Sequence, residues 1–206
     1  MTTSNQPYPI AIRGELVIPP SRWVWIFKWL LGIPHYFILC FLWIAAVFCW
    51  IGSFFAIWFT GKYPRSLFDY NVGVMRWSWR VWFYSYGALG TDKYPPFSLE
   101  LDQSYPADLD VQYPEKLNNW LIFVKWILGL PHWIIVGVFQ GNSSWARTGL
   151  GLVPILSIVA GIIMLFNGKY PEDIFNLIIG LNRWSNRFYG YLLLMTDRYP
   201  PFRLEE

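Results

Sequence analysis

The segment GKYPRSLFDYNVGVMRWSWR, residues 61–80, aligns without a gap to GKYPEDIFNLIIGLNRWSNR, residues 168–187, with ten of twenty positions identical. Two flanking blocks return in the same order. KWLLGIPH at 28–35 becomes KWILGLPH at 125–132, and TDKYPPF at 91–97 becomes TDRYPPF at 196–202. Three matched blocks in one order are the signature of a tandem duplication. The boundary falls near residues 101–105, which gives a first repeat at 1–101 and a second at 102–206.

Composition says what the duplicated unit is made for. Of 206 residues, 55% are hydrophobic, 21% aromatic and only 14% charged, against roughly 25% charged in ordinary globular domains. Fourteen Trp and thirteen Tyr suit a bilayer and its interfaces, where amphipathic rings rest favourably. This excludes a disordered chain, a coiled coil and a soluble enzyme. A net charge of +3 from scattered cations is too small for nucleic acid and supports at most a slight preference for anionic lipid. Cys40 and Cys49, nine residues apart in one apolar run, fall on opposite helix faces, so neither a disulfide between them nor a metal site is expected. No cofactor motif occurs, and the polar, proline-punctuated residues 1–22 do not read as a cleavable signal peptide.

Residues 33–59 hold no charged side chain over 27 positions, more than the roughly 20 that a spanning helix needs. Before them, residues 22–31 carry Arg22 and Lys28 among tryptophans and read as an interfacial approach helix, bent at Pro34. Residues 66–89 are the second candidate crossing. Their Asp69, Arg76 and Arg80 fall within about 40° on a helix, with Gly73 alongside. A stripe that narrow favours a spanning helix with its charges toward the protein interior over a surface helix with a broad polar face. In the second copy Asn176, Arg183 and Arg187 repeat the stripe, while Asn182, Ser185 and Asn186 widen the polar arc, so that helix read alone could lie at the surface.

Period-two alternation marks strands at 97–101 and 108–113, with weaker equivalents at 10–16 and 202–205. An isolated strand is unstable in water, so the four are expected to meet in one small extramembrane sheet. Strands that pair lie on one side of the membrane, which implies an even number of crossings per copy. The fold expected is therefore a mainly α-helical, multi-pass integral membrane protein of two pseudo-symmetric repeats. Each repeat has an interfacial helix, a transmembrane helix and a second Arg-bearing membrane helix, with short strands outside the bilayer.

Arg76, Arg80, Arg183 and Arg187, with Asp69, are the candidate binding residues. They either anchor helices near headgroups, stacking on Trp77, Trp79 and Trp184, or line an intramembrane pocket for an anionic headgroup or small anion. His35 and His132 each follow a proline at the entry to an apolar helix, with no second ligand at metal spacing, and read as membrane-boundary residues. Asp92 and Asp197, between Thr and a basic residue before YPPF, suit a turn. The second copy is ten residues longer between its His and GKYP blocks, and residues 141–151 read as a projecting loop whose Asn142–Ser144 triplet fits a glycosylation acceptor. Neither a nucleophile elbow nor a phosphate loop nor a zinc pattern is present, so an enzyme is not supported.

Taken together, the YP, RW and YPPF elements of both copies, with the GIPH entry, resemble the bacterial membrane family designated domain of unknown function four-three-eight-nine. The resemblance covers most of the chain. It implies a bacterial integral membrane protein and brings no activity, cofactor or catalytic residue with it. The function expected is a non-catalytic accessory or scaffold subunit of the cytoplasmic (inner) membrane, contacting membrane lipids, a larger membrane complex or further copies of itself. The alternative is a small carrier or channel for an anionic or amphiphilic solute that uses the paired Arg-bearing helices.

Overall fold

In a computed structural model, which describes residues 7–16, 20–141 and 150–205, the chain is mostly helical with one small sheet. The apolar run of the first copy passes from a 3-10 turn at Val24–Phe27 through α1 (Lys28–Leu31) to α2 (Ile33–Thr60). In the second copy α4 (Leu121–Leu128) and α5 (Leu130–Gln140) meet at a 52° bend, and α6 (Leu152–Asn167) completes the run. The breaks fall at Gly32 and Gly129, not at the prolines. Pro34 and Pro131 sit in the first turn of α2 and α5, where a missing N–H removes no helical bond. Among the described residues, the run Val24–Thr60 is the one helix long and apolar enough to cross a membrane, and α4 with α5 qualifies only if the bent pair counts as one span. The Asn142–Ser144 triplet and most of the expected loop lie outside the described residues.

GKYP builds the same corner twice. Gly61 and Gly168, at φ 69° and 72°, close α2 and α6 in the left-handed conformation that costs glycine least. Pro64 and Pro171 then cap α3 (Arg65–Tyr84) and α7 (Glu172–Leu192). Tyr63 Oη donates to Leu193 O at 3.4 Å and Tyr170 Oη to Ala88 O at 2.6 Å, so each corner touches the turn after the other copy's long helix. α3 and α7 therefore run antiparallel.

The sheet has two strands, not four: β1 (Ile10–Gly14) pairs antiparallel with β2 (Ala107–Val111), Ile12 opposite Leu109 at the centre. The stretches at 97–101 and 202–205 do not join it. They run as straps over α3 and α7, with carbonyls of Leu99 and Leu204 held by Arg76 and Arg183 at 2.8 and 2.9 Å. Because the KW blocks are 97 residues apart (125 − 28), Ile12 and Leu109 are the same position of their respective copies. The register is thus that of a pseudo-twofold axis passing through the sheet between these two residues. The axis exchanges the leaders: β2, which precedes the second copy, packs on α3 of the first, and β1 packs on α7 of the second.

Three layers result. Beyond β2 the leader continues along α3, where Tyr113 packs on Phe68 and Leu117 N donates to Gly61 O at 2.8 Å. The main core runs from these leaders through the α3/α7 layer to the apolar helices, and includes Ile12, Leu109, Phe68, Phe83, Ile178, Ala160 and Met164. On roughly the opposite side of α3, at 100° per residue, Trp77 and Val81 pack on Leu39 of α2. α2 in turn buries Leu39, Ala46, Ser53 and Ile57 toward α3. Its far side exposes Phe37, Phe41, Ile44, Phe48, Phe55 and Phe59.

Candidate functional site

Arg76 and Arg80 project from the face of α3 that meets the second copy's leader. Both are buried, as the narrow stripe implies. Arg80 Nη2 lies 3.0 Å from Asp108 Oδ2, and its other donors reach the carbonyls of Ser98 and Glu100. Arg76 Nε donates to Leu109 O at 2.8 Å and lies 3.2 Å from Asp108 Oδ1, while its Nη2 is 3.6 Å from Asp110. Neither guanidinium is stacked on Trp77 or Trp79. Trp79 instead donates to Arg13 O at 2.8 Å, and Trp77 to His35. Asp69 points away, exposed, in an i,i+4 ion pair with Arg65 at 2.9 Å, and does not join the arginines.

The second copy keeps the scaffold without that acid. Arg183 and Arg187 reach the strap carbonyls of Leu204 and Arg203, and Arg187 lies over the Tyr8 ring at 5.6 Å. At the position equivalent to Asp108 stands Ala11. Two residues of the widened polar arc of α7 turn inward, and Asn186 is half-buried. Asn182 and Ser185 are buried, with Gln140 Nε2 donating to them at 3.3 and 3.0 Å and Asn182 Nδ2 donating to Gly87 O at 2.9 Å. Gln140 and Asn182, with Trp43, Ser78 and Trp82, border a cavity of about 500 Å³ between the copies, whose lining carries amide and hydroxyl groups but no charge among the described residues.

The histidines sit in matched boxes. Trp77 Nε1 donates to His35 Nδ1 at 3.0 Å and Trp184 Nε1 to His132 Nδ1 at 2.8 Å. An indole nitrogen only donates, so each Nδ1 is an acceptor and the proton of the neutral ring sits on Nε2. Phe97 and Phe202 stack on the two rings at 4.1 and 4.3 Å. Both histidines are fully buried within the protein.

Beside each box lies a lysine–aspartate pair. Lys28 Nζ is 3.0 Å from Asp92 and donates to Thr91 O at 2.7 Å; Lys125 Nζ is 2.8 Å from Asp197 and donates to Thr196 O at 2.8 Å. The backbone amides of Ser21 and Asn118, again equivalent residues, donate to the second carboxylate oxygens at 2.6 Å. Thr91 and Thr196 do make the expected turns, accepting from the amides of Lys93 and Arg198. The aspartates, however, reach across to the leader and the apolar helix. The sequence carried a signal for this pairing: both copies retain Lys in the KW block and Asp in the TD block. Asp108 had no such signal, because its copy-one counterpart is alanine.

Chemically these are clasps. Each joins a helix to a strap or leader. Among the described residues no group of three His, Cys, Asp or Glu is placed to hold a metal ion.

Comparison with curated proteins and with solved structures finds no match. Residues 22–98 and 119–203 each match the family described as Domain of unknown function (DUF4389). The two matches begin 97 residues apart (119 − 22), the offset of the KW blocks, and both begin after the exchanged strands. Two tandem matches spanning most of the chain place this protein in the DUF4389 family.

Proposed function

We propose that the protein is a non-catalytic resident of the bacterial cytoplasmic membrane, an accessory or scaffold subunit held by its apolar face and meeting headgroups or a larger complex with its polar face. The reading rests on the sidedness of exposure. Phe48, Ile134 and Phe166, on the apolar helices, are 70%, 69% and 77% exposed. The leader on the opposite side of the layers exposes Asp110, Gln112, Glu115 and Lys116. Soluble monomers rarely show apolar patches beyond a few hundred Å². Expressed at full length, the protein is expected to stay with membranes through high-salt washing and to leave them only in detergent. Recovery as a soluble oligomer that buries this face would overturn the reading.

A carrier is the second reading, favoured by the cavity between the copies. Its uncharged lining suits an amphiphile better than an anion, since Arg76 and Arg80 are engaged by Asp108 and strap carbonyls. Flux of an amphiphilic solute in proteoliposomes that Asn182→Leu abolishes would support it.

A further inference from the structure

We propose that the protein lies in one leaflet, its pseudo-twofold axis along the membrane normal, with α2, α4, α5 and α6 in the plane of the membrane and the β1–β2 leaders in water. This rests on the membrane reading above and specifies the surface that meets lipid.

The argument starts from α2. Its exposed residues Phe37, Phe41, Ile44, Phe48, Phe55 and Phe59 fall on a single stripe at 100° per residue, and its buried residues Leu39, Ala46, Ser53 and Ile57 fall opposite. A spanning helix at the edge of a bundle would show the same stripe, so the stripe alone does not fix the tilt. The leader does. Residues 107–119 follow α3 from its C-terminal half, where Asp108 meets Arg80, to the turn before its first residue, where Leu117 N meets Gly61 O. α2 runs antiparallel to the same helix, from His35 beside Trp77 to Ile57 beside the GKYP corner.

If α2 and α3 stood upright, the exposed Asp110, Gln112, Glu115 and Lys116 would be strung over up to about 20 Å of the bilayer's depth. An exposed aspartate or lysine near the centre costs on the order of 2.5–3.5 kcal/mol. A two-stranded sheet also has two edges, and open backbone edges are not tolerated in hydrocarbon. With the helices in the plane, all four residues and both edges sit at one height in water, and the α2 stripe sits at one height in lipid. The 28-residue α2, about 42 Å long, then has no mismatch with a hydrocarbon core of about 30 Å.

The rim agrees. Exposed Lys62 and Lys169 follow the exposed Phe59 and Phe166 at one end of α2 and α6, and exposed Lys93 and Arg198 adjoin the exposed Tyr94 and Tyr199, whose hydroxyls reach the ends of α1 and α4. Cations beside aromatics at the edge of an apolar face complement anionic headgroups.

The test uses the full chain with Cys40 and Cys49 replaced by serine and a single cysteine placed at Lys62, Lys93 or Asp110, with Lys169 as the second-copy duplicate of Lys62. Sealed membrane vesicles of known orientation are treated with an impermeant maleimide. In-plane seating predicts that all four positions label from one side and none from the other, and that nitroxides at Phe37, Phe48 and Phe59 report the same depth. Labelling of Lys62→Cys and Lys93→Cys from opposite sides, or a nitroxide at Phe48 much deeper than those at Phe37 and Phe59, overturns the seating and leaves the membrane reading intact. Recovery of the protein outside the membrane fraction overturns both.

Discussion

Asp108 is buried between Arg76 and Arg80, whereas Asp110, two residues on, has a side chain 68% exposed. Removing the first leaves two buried guanidinium groups without their carboxylate. Asp108→Asn is expected to destabilise by about 3 kcal/mol, and Asp110→Asn by less than about 1 kcal/mol, measured by denaturant unfolding in the same detergent. Asp92 adds a pH dependence. Burial alone would raise its carboxyl, but the amide and hydroxyl of Ser21 and the Lys28 ammonium outweigh burial and leave it below the ordinary 3.8. A depressed folded-state pKa means that the unfolded chain takes up the proton first, so this stabilisation is present above 3.8 and is lost as pH falls from there through the lower folded-state value. The unfolding midpoint should drop on acidification through that window. Asp92→Asn, already weaker at neutral pH, should show a shallower drop, and an unchanged slope would remove Asp92 from the explanation. Of these acids, sequence pointed to Asp92 by its recurrence but took it for a turn residue. Asp108 looked like the polar half of an alternating strand because alternation reports faces, and both faces of β2 meet protein at that residue.

At the scale of elements, the straps show why period two misleads. Residues 97–101 and 202–205 alternate as β2 does, yet the partner they meet is a helix. Gly73 and Gly180 let them approach so closely that a Cβ at either position would stand 2.8 Å from Leu99 Cβ or 2.9 Å from Leu204 Cβ. Gly73→Ala and Gly180→Ala should each destabilise by about 1–3 kcal/mol through overpacking. Gly52→Ala in α2, whose nearest neighbour would be the Leu67 side chain at 3.5 Å, should be neutral or gain up to about 1 kcal/mol of helix preference. Equal costs at all three sites would mean that the straps yield and do not clamp. The helices were legible because their apolar runs are long and the GKYP corner is explicit. Strap and strand were not told apart because alternation records only that one side is covered.

At the scale of the molecule, the duplication was plain in the sequence, but the exchange of leaders was not, since it depends on which copy a strand meets in space. The charges on the two strands explain why the exchange joins unlike copies. In the register present, Arg13 lies opposite Asp108 and Ala11 opposite Asp110. A pair of first-copy strands would set Arg13 against Ala11 and leave Arg76 and Arg80 without an acid. A pair of second-copy strands would set Asp108 against Asp110, and like charges directly opposite destabilise a ladder. Cutting the chain between residues 103 and 104 should therefore yield two fragments that each fold poorly, the first because α3 loses β2 and its carboxylate. Expressed together, they should co-purify one to one and recover the unfolding midpoint of the intact chain in detergent. Arg13→Asp in the first fragment should abolish that recovery, and Asp108→Arg in the second should not restore it, because it also strips Arg80 of its partner. A first fragment that folds alone with the intact midpoint would show that the leaders are ornaments on two independent units and that the pseudo-twofold contributes no stability.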